Sequence, residues 1–594
     1  MGQIKLSDYI AKRLKEHGVE HFFMVSGGGA MHLNDSLGRE IPYTANHHEQ
    51  ACSISAEGYA RVNQKLAVVN VTTGPGGLNC LNGVFGQWTD SVPVLYISGQ
   101  VKYTTTMASC PELPLRQLGD QEVDIISCVK PLVKYAKMVT EPNEIKYHID
   151  KAIYEATTGR KGPVWLDIPM NVQGAIIEET ELKEFTTPSC TVYDLKIDEV
   201  VEKLKSAKRP LIVAGHGIHL SKQEELFHQM IKFSNIPVVT TFNGVDLLPS
   251  DHKNFCGRIG TIGQRAGNFT LQNADVILFL GTRNNIRQVS YNWENFAKNA
   301  YKIVVDIDNS ELEKPLVIPD LKINADLKDF MPELIKHAET ISNPSKWTEW
   351  LAFSKNLLSK YDFANVKEYQ SKEDVINVYD FVHTLSDVMS KGDILIAGNG
   401  SACVCAHQTF KIKEGQRIFW NSGDASMGYD LPAAIGAWYQ AEGRNVICLT
   451  GDGSIMMNIQ ELQTIAYNKI PMKIFVINNA GYSSIRQTQR NFFNGHMTGS
   501  GDDSGVSIPD FCKLATGFGL NSVKISNPKT MKAELSEVLK MQGCVICEIM
   551  TEKEYAFSPK LSAKKLPDGT MVSPSLEDMF PFLDREEFEQ NIIK

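Results

Sequence analysis

The sequence predicts an α/β protein of three doubly wound parallel-sheet domains, and three observations carry that prediction. Apolar, β-branched runs alternate with amphipathic segments along nearly the whole chain, the pattern of strand–helix–strand units whose sheets are covered on both faces. A chain of 594 residues is too long for one core and suits three. Polar stretches at 178–189 and 337–347 break the alternation into blocks at 1–180, 190–340 and 372–560, followed by a tail at 561–594.

The first block has strands near His21–Val25, Leu66–Thr72 and Val92–Ser98. The second has Pro210–Gly215, Ile236–Thr241, Asp275–Gly281 and Tyr301–Asp308; the third, from Asp374, has Asp393–Asn399, Asn445–Thr450 and Met472–Asn478. No close internal repeat is visible. The first residues form a charged amphipathic helix rather than a signal peptide, and no apolar run approaches the roughly 20 residues of a spanning helix. Leu6 stands where a myristoylation motif wants Ser or Thr. The balance of 60 basic against 69 acidic residues, net −9 and without a basic stripe, argues against nucleic acid. Twelve cysteines without metal-ligand spacing predict free thiols and a cytoplasmic protein.

The most informative segment is Gly451-Asp452-Gly453, then 24 residues, then Asn478-Asn479. It reads strand, turn, helix, strand, so Asp452 and Asn479 fall at neighbouring strand ends. Carboxylate, amide and backbone carbonyl oxygens there suit a hard cation such as Mg²⁺, and the glycines let backbone N–H groups approach a diphosphate.

This segment resembles the thiamine diphosphate signature of the acetolactate synthase and pyruvate decarboxylase superfamily, and the resemblance extends over nearly the whole chain. His47-His48-Glu49-Gln50-Ala51, Thr73-Gly74-Pro75-Gly76 and Gly423–Tyr429 follow in the family's order. The resemblance implies a pyrimidine-binding first domain, a central domain of the FAD type and a third domain for the diphosphate and Mg²⁺. Glu49 is then the glutamate that activates the aminopyrimidine, and Met427 the bulky residue beneath the folded cofactor. Asp452, Asn479 and the Gly481 carbonyl hold the metal. Pro75, Gly76, Gly400, Ser401, Gly451, Gly453, Ser454 and Asn478 line the cofactor. Gly27, Gly28 and Gly29 leave room above the reacting carbon, and Gln121, in Gly119–Asp124, matches a catalytic glutamine, with a surface polar residue as the open alternative. One of His47 and His48 reads as a helix-start residue. The resemblance also implies a homodimer at least, commonly a homotetramer.

In the central block, Gly215 and Gly217, Gly260 and Gly263, Arg283 and Arg287, and Asp306 resemble the FAD site of acetolactate synthases, where the flavin does no net redox chemistry. Gly-rich turns and arginine forks suit a pyrophosphate. A domain with no ligand, or with only an ADP moiety, stays open.

The family decarboxylates a 2-keto acid and protonates, oxidises or adds the product. Thr488 stands where acetolactate synthases have a tryptophan closing the acceptor pocket. The expectation is a carboligase taking pyruvate as donor and an acceptor larger or more polar than a short 2-keto acid. A keto-deoxysugar nucleotide is one candidate, because Gly281–Trp293 and the tail resemble carboligases of bacterial surface-sugar pathways. The alternatives are acetolactate synthase itself, a simple decarboxylase, a flavin-coupled pyruvate oxidase and a non-catalytic scaffold. Residues 490–507, rich in Gly, Asn and Asp, are expected either to form a mobile cap over the site or to be disordered with no gating function.

Overall fold

The computed structural model describes residues 2–593 apart from 190, 233, 342–344, 566–567 and 569; parts of the second linker and of the tail segment 558–569 therefore lie outside the described residues. Three six-stranded sheets, each wholly parallel, are stacked along the chain. In the first, the order is Tyr43–Ala45, Phe22–Met24, Ala67–Val71, Val94–Gln100, Val164–Pro169, Tyr135–Met138. In the third it is Arg417–Phe419, Ile394–Ala397, Val446–Gly451, Lys473–Asn478, Val545–Met550, Asn521–Ile525. Numbered within each domain, both orders are 2-1-3-4-6-5. The outer domains therefore share a topology that no sequence repeat betrays.

The central sheet runs 3-2-1-4-5-6, from Phe255–Arg258 through Val238–Thr240, Pro210–Ala214, Val276–Leu280 and Tyr301–Asp306 to Leu321–Asn324. This order reverses between Pro210–Ala214 and Val276–Leu280, where doubly wound sheets open a crevice at their carboxyl ends. The core strands are fully buried apolar runs such as Val276–Leu280 and Val446–Leu449, as expected for sheets covered on both sides.

Helix Glu49–Asn63 of the first domain crosses helix Asp430–Trp438 of the third so closely that their backbones touch. A Cβ built on Gly58 would lie 2.0 Å from the Ala433 carbonyl oxygen, and one on Gly436 would lie 1.7 Å from that of Ser55. Ser55 Oγ donates to the Pro432 carbonyl at 2.9 Å across the same crossing. Beside it, buried Glu461 accepts from Asn46 Nδ2 at 2.9 Å and from the His47 N–H at 3.0 Å.

The C-terminal segment returns to the central domain. Asn268 Nδ2 donates to the Leu576 carbonyl at 3.0 Å, and Asn273 Nδ2 to that of Asn591 at 2.8 Å. Among the described residues no helix is long and apolar enough to cross a membrane.

Because no rotamer relieves a Cβ clash with backbone, Gly436→Ala must push the two helices apart. Overpacking of this kind costs about 1–3 kcal/mol. Thermal unfolding should show a lowered Tm for Gly436→Ala and for Gly58→Ala; Gly443→Ala is no control, because that glycine is left-handed and Ala would be strained there, so the control is Gly517→Ala, whose Cβ meets nothing within 4 Å.

Candidate active site

Gly451 stands opposite Ile477 in the third sheet, so Asp452 and Asn479 leave adjacent strand ends. Asp452 is buried; its Oδ2 accepts from the N–H groups of Asn479 and Gly481, both at 3.0 Å, and its Oδ1 from that of Gly453 at 2.7 Å. Burial pushes its carboxyl up to about 6 against the pull of those three donors. Asn479 Nδ2 donates to Tyr555 Oη at 2.9 Å, while its Oδ1 is buried without a partner. An orphaned buried acceptor costs about 1–3 kcal/mol. A carboxylate needing a positive charge beside an amide oxygen needing a donor is the oxygen-ligand set of a hard divalent cation, so the residues fit Mg²⁺.

The loop beyond them is held by Arg486, which sequence reasoning did not single out. Its guanidinium donates to the carbonyls of Asn479 at 2.8 Å, Ala480 at 2.9 Å, Ser500 at 3.1 Å and Lys553 at 2.8 Å. Gly481 has φ +124°, and a Cβ there would approach the Ser500 carbonyl at 2.5 Å. Residues 490–507 thus begin as helix and fold back on Arg486 through Ser500. Asn478 is turned away from the metal ligands: Nδ2 donates to Glu548 Oε1 at 2.7 Å and Oδ1 accepts from the Ala480 N–H at 3.1 Å. With both amide ends engaged it shapes the turn, whereas the resemblance implies a cofactor contact there.

The space beside this turn is bounded by backbone. A Cβ built on Gly400 or Gly451 meets nothing within 4 Å, which leaves both turns open to a ligand. Ser401 Oγ hydrogen-bonds Tyr555 Oη, so Tyr555 joins the Gly400 turn to Asn479. Gly453 is required by packing, since a Cβ would lie 2.2 Å from the Tyr482 ring. Ser454 Oγ accepts from the Gly428 N–H at 2.9 Å and donates to Asp430 Oδ2 at 2.6 Å, tying the half-buried Met427 loop to the metal turn.

In the first domain, His48 Nδ1 accepts from the Gln50 N–H at 3.2 Å and caps helix Glu49–Asn63, which puts Glu49 in the first turn. Glu49 Oε2 accepts from Asn79 Nδ2 at 2.9 Å, and a Cβ on Gly76 would lie 3.6 Å from Oε1. Pro75 opens helix Pro75–Asn79, where its missing N–H is no loss. The turn at Gly27–Gly29 lies on Thr72 and Thr73: Cβ atoms on Gly27 and Gly29 would approach them to 2.5 and 2.1 Å, while Gly28 faces open space. Gln121 has φ +61°, and its carbonyl oxygen would lie 2.0 Å from a Cβ on Gly74, so only glycine lets this loop reach the Gly-Pro-Gly turn. Buried Glu122 holds the loop by accepting from the N–H groups of Met107, Leu118 at 2.9 Å and Gly119 at 3.1 Å. Thr488 is exposed on helix Ser483–Phe492, its hydroxyl donating to the Ser484 carbonyl at 3.1 Å.

A second cavity, of about 300 Å³, lies over the switch point of the central sheet. Gly217, Arg283, Arg287 and Asp306 line it, and burial pushes the Asp306 carboxyl up to about 6. Arg287 lies over the Phe242 ring, 4.8 Å from its centre. Gly215, Gly260 and Gly263 sit in turns outside the lining. A Cβ on Gly215 would lie 2.3 Å from the Gly281 carbonyl oxygen, and one on Gly263 2.6 Å from the Ile259 carbonyl carbon. His216 lines the cavity nine-tenths buried with neither ring nitrogen partnered, and burial pulls its pKa well below the usual range. A neutral imidazole lacking both a donor and an acceptor, among several cations, fits a phosphate-bearing heterocyclic ligand such as FAD.

Fold and site together define a thiamine diphosphate enzyme. The chain matches the N-terminal binding domain of the thiamine pyrophosphate enzymes over residues 4–127, their central domain over 197–334 and their C-terminal binding domain over 398–549. It is 31% identical to the acetolactate synthase large subunit of Lactococcus lactis, over 92% of this chain and 93% of that one, and 29% identical to the large subunit of Haemophilus influenzae, over 97% and 100%. A probable acetolactate synthase large subunit of Methanococcus aeolicus is 30% identical over 96% and 94%. The chain belongs to the acetolactate synthase-like branch of the thiamine pyrophosphate enzymes.

A carboxyl that titrates near 6 must lose its proton before it takes up a cation. As pH falls through about 6, Mg²⁺ has to displace that proton, so its affinity should fall by about tenfold per unit. Calorimetric Mg²⁺ titration checks this, and a flat affinity from about pH 5 to 8 would contradict it. Asn479→Leu should weaken Mg²⁺ binding while keeping the fold, because its side chain makes one hydrogen bond.

Proposed function

We propose that the chain decarboxylates pyruvate and joins the resulting two-carbon acetyl unit to a carbonyl acceptor larger than a second pyruvate, with a keto-deoxysugar nucleotide as the candidate class. The observation that carries the acceptor is Thr488, a small hydroxyl on an exposed helix face where a tryptophan would add a large apolar wall. The second reading, acetolactate synthase, is favoured by what the relatives are called.

Bound thiamine diphosphate supplies the nucleophilic carbon and the electron sink for decarboxylation. The chain's own groups position and activate it. Asp452, Asn479 Oδ1 and the Gly481 carbonyl hold Mg²⁺, and the open backbone at Gly400 and Gly451 receives the diphosphate. Glu49 holds a proton at the far ring nitrogen of the pyrimidine, its carboxylate aimed by Asn79. Met427 would lie against thiamine diphosphate when it is bound. Gln121 and the bare backbone at Gly28 face the reacting carbon. FAD would be held in the central cavity by Arg287 and the groups around His216, in a structural role.

A homodimer completes the site, with the first domain of one copy facing the third of its partner. Exposed Leu78, Phe85 and Trp88 in the first domain and Met456 and Met457 in the third supply apolar surface for that contact.

The test is product identification by mass spectrometry, with Mg²⁺, thiamine diphosphate and pyruvate, in the presence and absence of aldehyde, ketone and keto-sugar acceptors. Slow turnover alone, rescued by one acceptor that gains two carbons, is the expected result. Rapid acetolactate formation from pyruvate alone would overturn the acceptor reading and establish the second.

A further inference from the structure

Beside Arg287, which lies over the Phe242 ring, the central cavity has cations of two kinds. Arg160 Nη1 is paired with Asp308 at 2.6 Å and Glu311 at 2.9 Å, and Arg283 donates to the Thr89 carbonyl at 2.6 Å and lies 3.4 Å from Glu311. These arginines join the first domain to the second, and their charge is already matched. The glycine turn is also engaged: the Gly215 N–H donates to the Leu280 carbonyl and the Gly217 N–H to that of Gly281, both at 3.0 Å. The helix that follows, Gly217–Leu220, is a single turn. The Gly-rich turn therefore has those two N–H groups committed to the fold and serves the close approach of two strand ends.

Lys161 and Lys222 differ. Both line the cavity, Lys161 from the turn after helix Ile145–Thr157 of the first domain and Lys222 from the segment after Gly217–Leu220 of the second. Among the described residues neither forms an ion pair. The acids near Lys161 are engaged elsewhere: Glu224 accepts from His219 Nδ1 at 2.7 Å, and Asp326 accepts from the Lys328 N–H at 3.0 Å and pairs with its ammonium at 3.5 Å. Burial, reinforced by the charge of Lys222, pulls Lys161 down to about 8. Two lysines that repel each other in one cavity wall, the neighbouring acids Glu224 and Asp326 being bonded to other groups, leave a place for an anion. The unpartnered, nine-tenths buried His216 in the same wall is a second, independent sign of a polar ligand.

We propose that Lys161 and Lys222 form the diphosphate seat of the central cavity, an anion bridging their ammonium groups and clamping the first domain to the second. The ligand class is a nucleoside diphosphate or a dinucleotide. The proposal rests on the reading that this cavity holds FAD, but only on the diphosphate that FAD shares with ADP.

Calorimetric titration of the full chain with FAD, ADP, riboflavin and adenosine tests it, with Lys161→Met, Lys222→Met and Lys161→Arg beside the wild type. The wild type should bind ADP and FAD and take adenosine and riboflavin much more weakly. Each methionine variant should weaken ADP and FAD by about tenfold or more, leave adenosine unchanged, and the arginine variant should restore most of the loss. ADP binding that depends on both lysines, without FAD binding, would keep the seat and overturn the flavin reading. FAD bound equally well by wild type and variants would overturn the seat and keep the flavin reading. Loss of adenosine affinity in parallel with ADP, or no binding of either diphosphate to the wild type, would also overturn it.

Discussion

Two helices crossing without side chains between them set the geometry on which the rest depends. Gly58 and Gly436 bring Glu49–Asn63 and Asp430–Trp438 into backbone contact. The helix that begins with Glu49 is thereby fixed to the helix that follows the Met427 loop, and Ser454 carries that loop on to the metal turn. Within one chain, Ser55 Oγ bonded to the Pro432 carbonyl and Ser454 Oγ bonded to Asp430 thus tie the first domain to the turn that carries Asp452 in the third. A Cβ on either glycine would meet the opposing backbone and drive the two domains of one chain apart, which is why the crossing tolerates none.

The two cofactor-sized spaces are built on different principles. At the metal turn the fold leaves a buried carboxyl pushed up to about 6 and an amide oxygen without a donor, both relieved by one cation. Stability is held back there until the ligand arrives. In the central cavity most charges are already matched, and the arginines staple one domain to another. What remains without a carboxylate among the described residues is a lysine pair and Arg287, with a neutral histidine beside them. Ligand binding there would tighten the domain junction rather than perform chemistry.

Much of this was legible in the sequence, for local reasons. The spacing from Asp452 to Asn479 works because one strand–helix–strand unit fixes which strand ends are neighbours, and Gly451 does stand opposite Ile477. A helix start at His47 or His48 with Glu49 in its first turn was read from the sequence, and the structure makes His48 the cap. The three-residue strands Tyr43–Ala45 and Arg417–Phe419 were not legible, being too short to show a period. Glycines were legible only as glycines. Gly215, like Gly58, answers to backbone that is distant in the chain, whereas Gly263 answers to the turn just before it, at Arg258–Gly260. Lys161 belongs to the first domain yet lines a cavity of the second, and the tail returns to Asn268 and Asn273; such contacts leave no periodic trace.

We propose that Glu49, its carboxylate aimed by Asn79 Nδ2 at 2.9 Å, moves the proton that activates thiamine diphosphate when it is bound. The direct measurement is the rate at which the C2 proton of thiamine diphosphate bound to the Mg²⁺-loaded protein exchanges with deuterium, read by NMR after acid quench, in wild type and Glu49→Gln. The account predicts exchange slowed by about a hundredfold or more in the variant, the lower end of what a positioned acid–base group contributes, with cofactor still bound. Equal exchange rates in the two proteins would contradict it.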